Sequence, residues 1–309
     1  MKKIFAVIAA IALTTGALFA QDLNEATETF NNALTAFQEG NKTAALESFN
    51  KALTMAQGLG EDGASIVSDC QETIPKVVLS MAKDLIKEGD YDGAVAKLNE
   101  AAKLAEEYKV EDVLEEANSL IPQVMMQKGN SLLKTDPAGA AAVYQQILDA
   151  DPTNGTAALR LGAALNAAGK TDEAVKAFET AAANGQEATA NKQLSNIYLR
   201  QSSNFLKEKK YNDAVAAALK CNEYAPNPQA LQIAGQASQL AGKNDDAIKY
   251  FTQYLDAAPN AKNAGQIAYT VGALYQQNKN NAKAKEYYQK AVSDPKYGAD
   301  AKKLLDALK

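Results

Sequence analysis

Residues 161–183 read LGAALNAAGKTDEAVKAFETAAA. Apolar residues recur at three- and four-residue spacing on both sides of Gly169-Lys170-Thr171-Asp172, so the stretch predicts two amphipathic helices flanking a turn. Gly162 and Ala174 are small where the two helices would cross, because the residues at a crossing limit how closely the axes approach. Leu165 and Phe178 supply the bulk between them. Gly169 suits the end of the first helix, since it takes a left-handed conformation without steric cost.

The same order of small and large residues then returns. Gly162, Leu165, Gly169, Ala174, Phe178 and Ala181 lie at offsets 0, 3, 7, 12, 16 and 19. Phe205, Ala214, Ala218, Cys221 and Pro226 follow that order, as do Gly235, Gly242, Ala247, Phe251 and Pro259, and then Gly272, Tyr275, Ala284, Tyr288 and Ala291. Equivalent alanines of the second helix, Ala140, Ala174, Ala214, Ala247 and Ala284, are 34, 40, 33 and 37 residues apart, with the scatter expected in the connections. Pro152, Pro226 and Pro259 end the second helix of their units, because proline cannot continue the backbone ladder. Asp151 to Asn154, Pro226-Asn227 and Pro259-Asn260 offer side-chain oxygens to cap the helix that follows. A fixed period of this kind marks a solenoid.

The pattern resembles the tetratricopeptide repeat, whose helix–turn–helix units run to about 34 residues. The family's signature tryptophan is absent, since the chain has none, and residues such as Tyr198 and Leu231 stand there. Residues 21–150 are similar but more diverged. Gly40, Ala45, Phe49 and Ala52 match one turn and second helix; Gly89, Asp90, Tyr91, Ala94, Leu98 and Ala101 match another. Spacing is longer here, and Ile74-Pro75-Lys76-Val77 recurs 47 residues later as Ile121-Pro122-Gln123-Val124. These prolines are expected at the first turn of the next helix, where a missing N–H costs nothing. The expected fold is all-α, a right-handed α-solenoid of about seven antiparallel helix hairpins. It divides into diverged, longer hairpins over 21–150 and regular units over 151–309. Ala299 to Leu308 reads as a final amphipathic helix covering the last unit, because open solenoid ends need a polar-backed cap.

Residues 1–20 are expected to be a signal peptide. Lys2-Lys3 precede an apolar run over 4–13, and small residues lead up to Ala20 before Gln21-Asp22. Cleavage is expected after Ala20, with Ala17 the alternative. The apolar run is about half the ~20 residues that a spanning helix needs. The first cysteine is Cys70, so no lipoprotein anchor is expected. Without residues 1–20 the chain holds 30 basic and 37 acidic residues, a formal charge of −7, which argues against nucleic acid or an anionic membrane as the main partner. The expected compartment is the periplasm, or the medium. Cys70 and Cys221 are 151 residues apart in separate units of a stack whose units touch only neighbours, so no disulfide is expected between them.

The residues offer little chemistry. The chain has no histidine, which removes the commonest general base and the commonest transition-metal ligand together. Two separate cysteines cannot form a structural zinc site alone, and no GxxxxGK[ST] loop is present. Glu106-Glu107, Glu115-Glu116 and Asp245-Asp246 read as solvated helix faces or turns. Lys243-Asn244-Asp245-Asp246 falls in the repeat frame as an inter-helix turn and lacks the alternating oxygens of a calcium loop. Neither an enzyme nor a cofactor is implied; the expectation is a non-enzymatic scaffold for a protein or peptide partner.

Resemblance to the family implies that the first helix of each unit lines a groove for a peptide or partner helix. Carried over residue by residue, that face collects Asn166, Asn196, Gln229, Gln232, Gln236, Gln239, Gln266, Tyr269 and Gln276. Tyr269, unlike Tyr144, Phe178, Phe251 and Tyr288, matches no core position. The strip is neutral and amide-rich. The Lys/Asn carboxylate clamp of the best-known grooves is missing; the nearby cations are Arg160, Arg200 and Lys207. The strip therefore suits an extended polypeptide held by amide hydrogen bonds. An assembly subunit that self-associates, or that docks through its convex face, is the alternative reading.

Overall fold

Seven times between residues 21 and 291 the chain runs along one helix, turns, and returns along another. The structure, a computed structural model, describes residues 21–308; the signal peptide expected over 1–20 lies outside them. No strand occurs among the described residues. They fall into two compact units that divide between Ala150 and Asp151.

The first unit holds three hairpins. These are α1 (21–38) with α2 (Lys42–Gly58), α3 (Ala64–Glu88) with α4 (Tyr91–Tyr108), and α5 (Glu111–Leu132) with α6 (Pro137–Ala150). The second unit holds four hairpins. They are α7 (Gly155–Ala167) with α8 (Thr171–Ala181), α9 (Glu187–Lys207) with α10 (Tyr211–Tyr224), α11 (Pro228–Leu240) with α12 (Asn244–Ala257), and α13 (Ala264–Gln277) with α14 (Asn281–Ala291). A last helix, α15 (Gly298–Ala307), packs on α14. Within each unit successive helices pack on one another, and first helices also meet, α3 with α5 and α9 with α11. Each unit is thus an all-α solenoid of helical hairpins.

The repeat positions do what their sizes suggest. A Cβ added at Gly162 would lie 2.7 Å from the Phe178 ring, one at Gly235 2.5 Å from Phe251, and one at Gly272 2.7 Å from Tyr288. In each hairpin a bare backbone lies flat under an aromatic ring, and any side chain would push the two helices apart. The first unit repeats the contact where the sequence pattern is weakest, with Gly129 under the Tyr144 ring at 2.5 Å. In α9 and α10 the same two repeat positions carry Ser202 and Ala218, both buried: a larger residue on one helix accompanies a smaller one on the other. Cys221 is buried like its equivalents Ala181 and Ala291, and Cys70 and Cys221 are both free thiols.

Three expectations need correction. Pro75 and Pro122 do not open helices; each is the twelfth residue of its helix, α3 and α5. Proline there removes the bond to the carbonyl four residues back, but apolar packing on both sides of it outweighs the loss, and Pro75 itself is buried. Nor does the longest repeat spacing of the second unit lie only in a connection. Helix α9 has 21 residues against 13 in α7 and α11, so the insertion is largely helical. Finally, Asn154 and Asn227 cap their helices, but Asn260 does not cap α13. Asn263 takes the cap position, and its side-chain oxygen accepts the Tyr254 hydroxyl instead.

Candidate functional site

Four of the nine groove residues sit on α11, where Gln229, Gln232, Gln236 and Gln239 are spaced by three and four and so share one face. Helix α13 brings Gln266 alongside. Gln232, Gln236, Gln239 and Gln266 line a cavity of about 180 Å³, together with Phe251, Ile267 and Thr270. Gln236, Gln239 and Gln266 are exposed and Gln232 is half-buried, while Phe251 and Ile267 are buried. The lining is therefore four amides and one hydroxyl over an apolar floor, with no ionisable side chain. Each amide offers a donor and an acceptor, the same pair that a peptide unit presents.

The other five residues are placed differently. Asn166 accepts a hydrogen bond from Arg200 Nη2 at 2.8 Å, which ties α7 to α9 and engages one of the three nearby cations. Gln276 Oε1 accepts from the Tyr288 hydroxyl at 2.8 Å. Asn130 does the same for Tyr144 at 2.8 Å. Where the repeat aromatic is a tyrosine, an amide of the preceding helix satisfies its hydroxyl. Burial, with the neighbouring Tyr269, pushes the Tyr288 hydroxyl up, so it remains a donor at neutral pH. Tyr269 packs 5.7 Å from Tyr288 and 5.3 Å from Tyr297, centroid to centroid, beneath the segment that leads into α15. Asn196 and Gln229 are exposed and lie outside the cavity.

Thr270 and the apolar floor were missed by the sequence reading. Thr270 lies four residues after Gln266, so extending the groove face by one helical turn would have found it. A larger cavity of about 740 Å³ opens between the α12–α13 and α14–α15 connections, lined in part by Leu255, Lys262, Gly265 and Asp294. Irregular connections carry no repeat, and no spacing announces it. Among the described residues no group of three or more Cys, Asp or Glu is placed to hold a metal ion, and no helix is long and apolar enough to cross a membrane.

Two stretches, residues 131–195 and 265–293, match family models described as tetratricopeptide repeat. The chain contains tetratricopeptide repeats. The two matches cover α6 to α8 and α13 with α14, and they include the Gly162–Phe178 and Gly272–Tyr288 contacts. Several solved structures align with this chain in part. A MamA structure (AMB-1) is 25% identical, with 56% of this chain and 91% of that one covered and a TM-score of 0.36. A second MamA structure is 20% identical over 56% and 96%, TM-score 0.33. Pseudomonas aeruginosa PilF is 18% identical over 60% and 82%, TM-score 0.30. TM-scores this low carry nothing about function. No curated protein matches the sequence. Tetratricopeptide repeats are protein-interaction scaffolds, and that is the class of function the fold supports here.

Proposed function

We propose that the chain is an exported, non-enzymatic scaffold of the cell envelope that holds a protein or peptide partner on the first-helix face of its second unit. The observation that carries this reading is the neutral cavity of Gln232, Gln236, Gln239, Gln266 and Thr270 over Phe251 and Ile267. Its amides match the donors and acceptors of an extended backbone, and its floor accepts an apolar side chain. Without charge in the lining, an acidic tail gains nothing there beyond what a neutral segment gains. Export rests on the basic start, apolar run and small residues of positions 1–20.

The test is a partner pull-down with Gln232→Ala, Gln236→Ala and Gln266→Ala combined. All three sites are at least partly exposed, so the fold should survive, as circular dichroism would show. Recovery of partners should fall by at least about tenfold, on the order of 0.5–1.5 kcal/mol for each of three lost hydrogen bonds. Unchanged recovery from a folded variant would move the binding face elsewhere. Sequencing the mature N-terminus from a periplasmic fraction tests export: it should begin at Gln21.

A further inference from the structure

The division of the described chain between Ala150 and Asp151 separates charge as well as packing. Residues 21–150 carry 22 acids against 10 lysines, a formal charge of −12. Residues 151–309 carry 20 lysines and arginines against 15 acids, a formal charge of +5. The whole-chain value of −5 hides two units of opposite sign.

The imbalance sharpens toward the two extremes of the sequence. Residues 21–72 hold nine acids and two lysines, whereas residues 279–309 hold eight lysines and four acids. Asp22, Glu25, Glu28, Glu39, Glu61 and Asp62 are exposed, and none enters an ion pair among the described residues. At the other extreme Lys279, Lys296 and Lys302 are exposed and likewise outside the ion pairs among the described residues. Local ion pairs therefore neutralise neither patch. Each patch leaves a field that a complementary surface would lower, and complementary surfaces of this kind steer encounter and fix register.

We propose that copies of this chain associate head to tail, the acidic stretch over α1, α2 and the start of α3 of one copy against the basic α14–α15 end of the next. The partner is a second copy because the chain itself supplies the complementary surface. This contact is heterologous, so it leaves one free acidic and one free basic end on every assembly and generates open chains unless the rotation closes a ring. It is independent of the amide cavity, which lies on α11 and α13.

Sedimentation velocity of the full mature chain tests this. At about 10 mM salt the screening length is about 30 Å, and the mean mass should rise with protein concentration; by about 0.1 M it is about 10 Å, and association should weaken by about tenfold or more. Two variants then separate head-to-tail contact from any symmetric one. One removes charge at the front (Asp22→Asn, Glu25→Gln, Glu28→Gln); the other removes it at the rear (Lys296→Gln, Lys302→Gln, Lys303→Gln). Each alone should be monomeric, and an equimolar mixture should give a discrete dimer, because one good acidic end meets one good basic end. A chain that is monomeric at low salt overturns the proposal. So does salt-insensitive association, or a mixture that stays monomeric. Monomers that instead co-sediment with anionic phospholipid vesicles would overturn it too and assign the basic end to a membrane surface.

Discussion

At the scale of single residues, the repeat is a set of contacts between a bare backbone and a ring. Gly162 lies under Phe178, and the α9–α10 hairpin shows the natural exchange, Ser202 with Ala218. Gly162→Ser should cost about 1–3 kcal/mol by overpacking, and Phe178→Ala about 3–5 kcal/mol by the cavity it leaves. The double variant should cost at least about 1 kcal/mol less than their sum, because each change removes the strain or void of the other. Denaturant midpoints of the four chains measure this, and additive costs would mean that ring and glycine do not act as a pair. The turns make a second case. Gly40, Gly89, Gly169 and Gly242 take positive φ after their first helices, and Lys209 takes the same left-handed conformation at φ 61°. That conformation costs a side-chain-bearing residue about 1–2 kcal/mol, against roughly 0.5–1 kcal/mol for the greater freedom a glycine loses on folding. Lys209→Gly should thus raise stability by about 0.5–1 kcal/mol, visible as a higher melting midpoint. A lower midpoint would show that the lysine side chain contributes more than its backbone costs.

At the scale of elements, the two interior prolines decide how the first unit differs from the second. Pro122 is half-buried in the middle of α5. An interior proline costs a helix about 3 kcal/mol relative to alanine. Replacing it removes little more than two ring carbons of partly covered surface, at most about 1.6 kcal/mol even if fully buried. Pro122→Ala should therefore stabilise the chain by about 1–2 kcal/mol. Pro75→Ala should gain less, because Pro75 is buried against the core. Thermal melts of both variants check the order. The seven hairpins were legible in the sequence because small and large residues at fixed offsets report directly on close helix packing. That α3 and α5 run on through their prolines, and that α9 is long, was not legible. Proline is commonest at a helix start, and the packing that tolerates it in mid-helix comes from residues far away in sequence. The candidate site divides the same way. The amides of α11 share a face by spacing alone, so their common placement could be read. The uses of Asn166 and Gln276 depend on Arg200 and Tyr288, on other helices, and spacing within one helix says nothing about them.

At the scale of the whole molecule, stability should be local, because a repeat touches only its neighbours and its free energy is nearly a sum of unit and interface contributions. The α15 helix tests this. Leu304, Leu305 and Leu308 pack against the buried Ala284, Tyr288 and Ala291 of the last hairpin. Each leucine is half-buried, so truncation of one should cost about 1 kcal/mol. Leu304→Ala with Leu305→Ala should then destabilise the end of the second unit by about 2 kcal/mol. Amide hydrogens of α13, α14 and α15 should exchange about thirtyfold faster, since every 1.4 kcal/mol is tenfold. Acceleration should shrink through α11 and α9 as interfaces intervene, and the amides of α1 to α6 should keep their original rates. Equal acceleration across all the helices would mean that the chain opens as one cooperative body. In that case the nearest-neighbour picture fails, and weakening the basic end would also open the hairpins of the first unit.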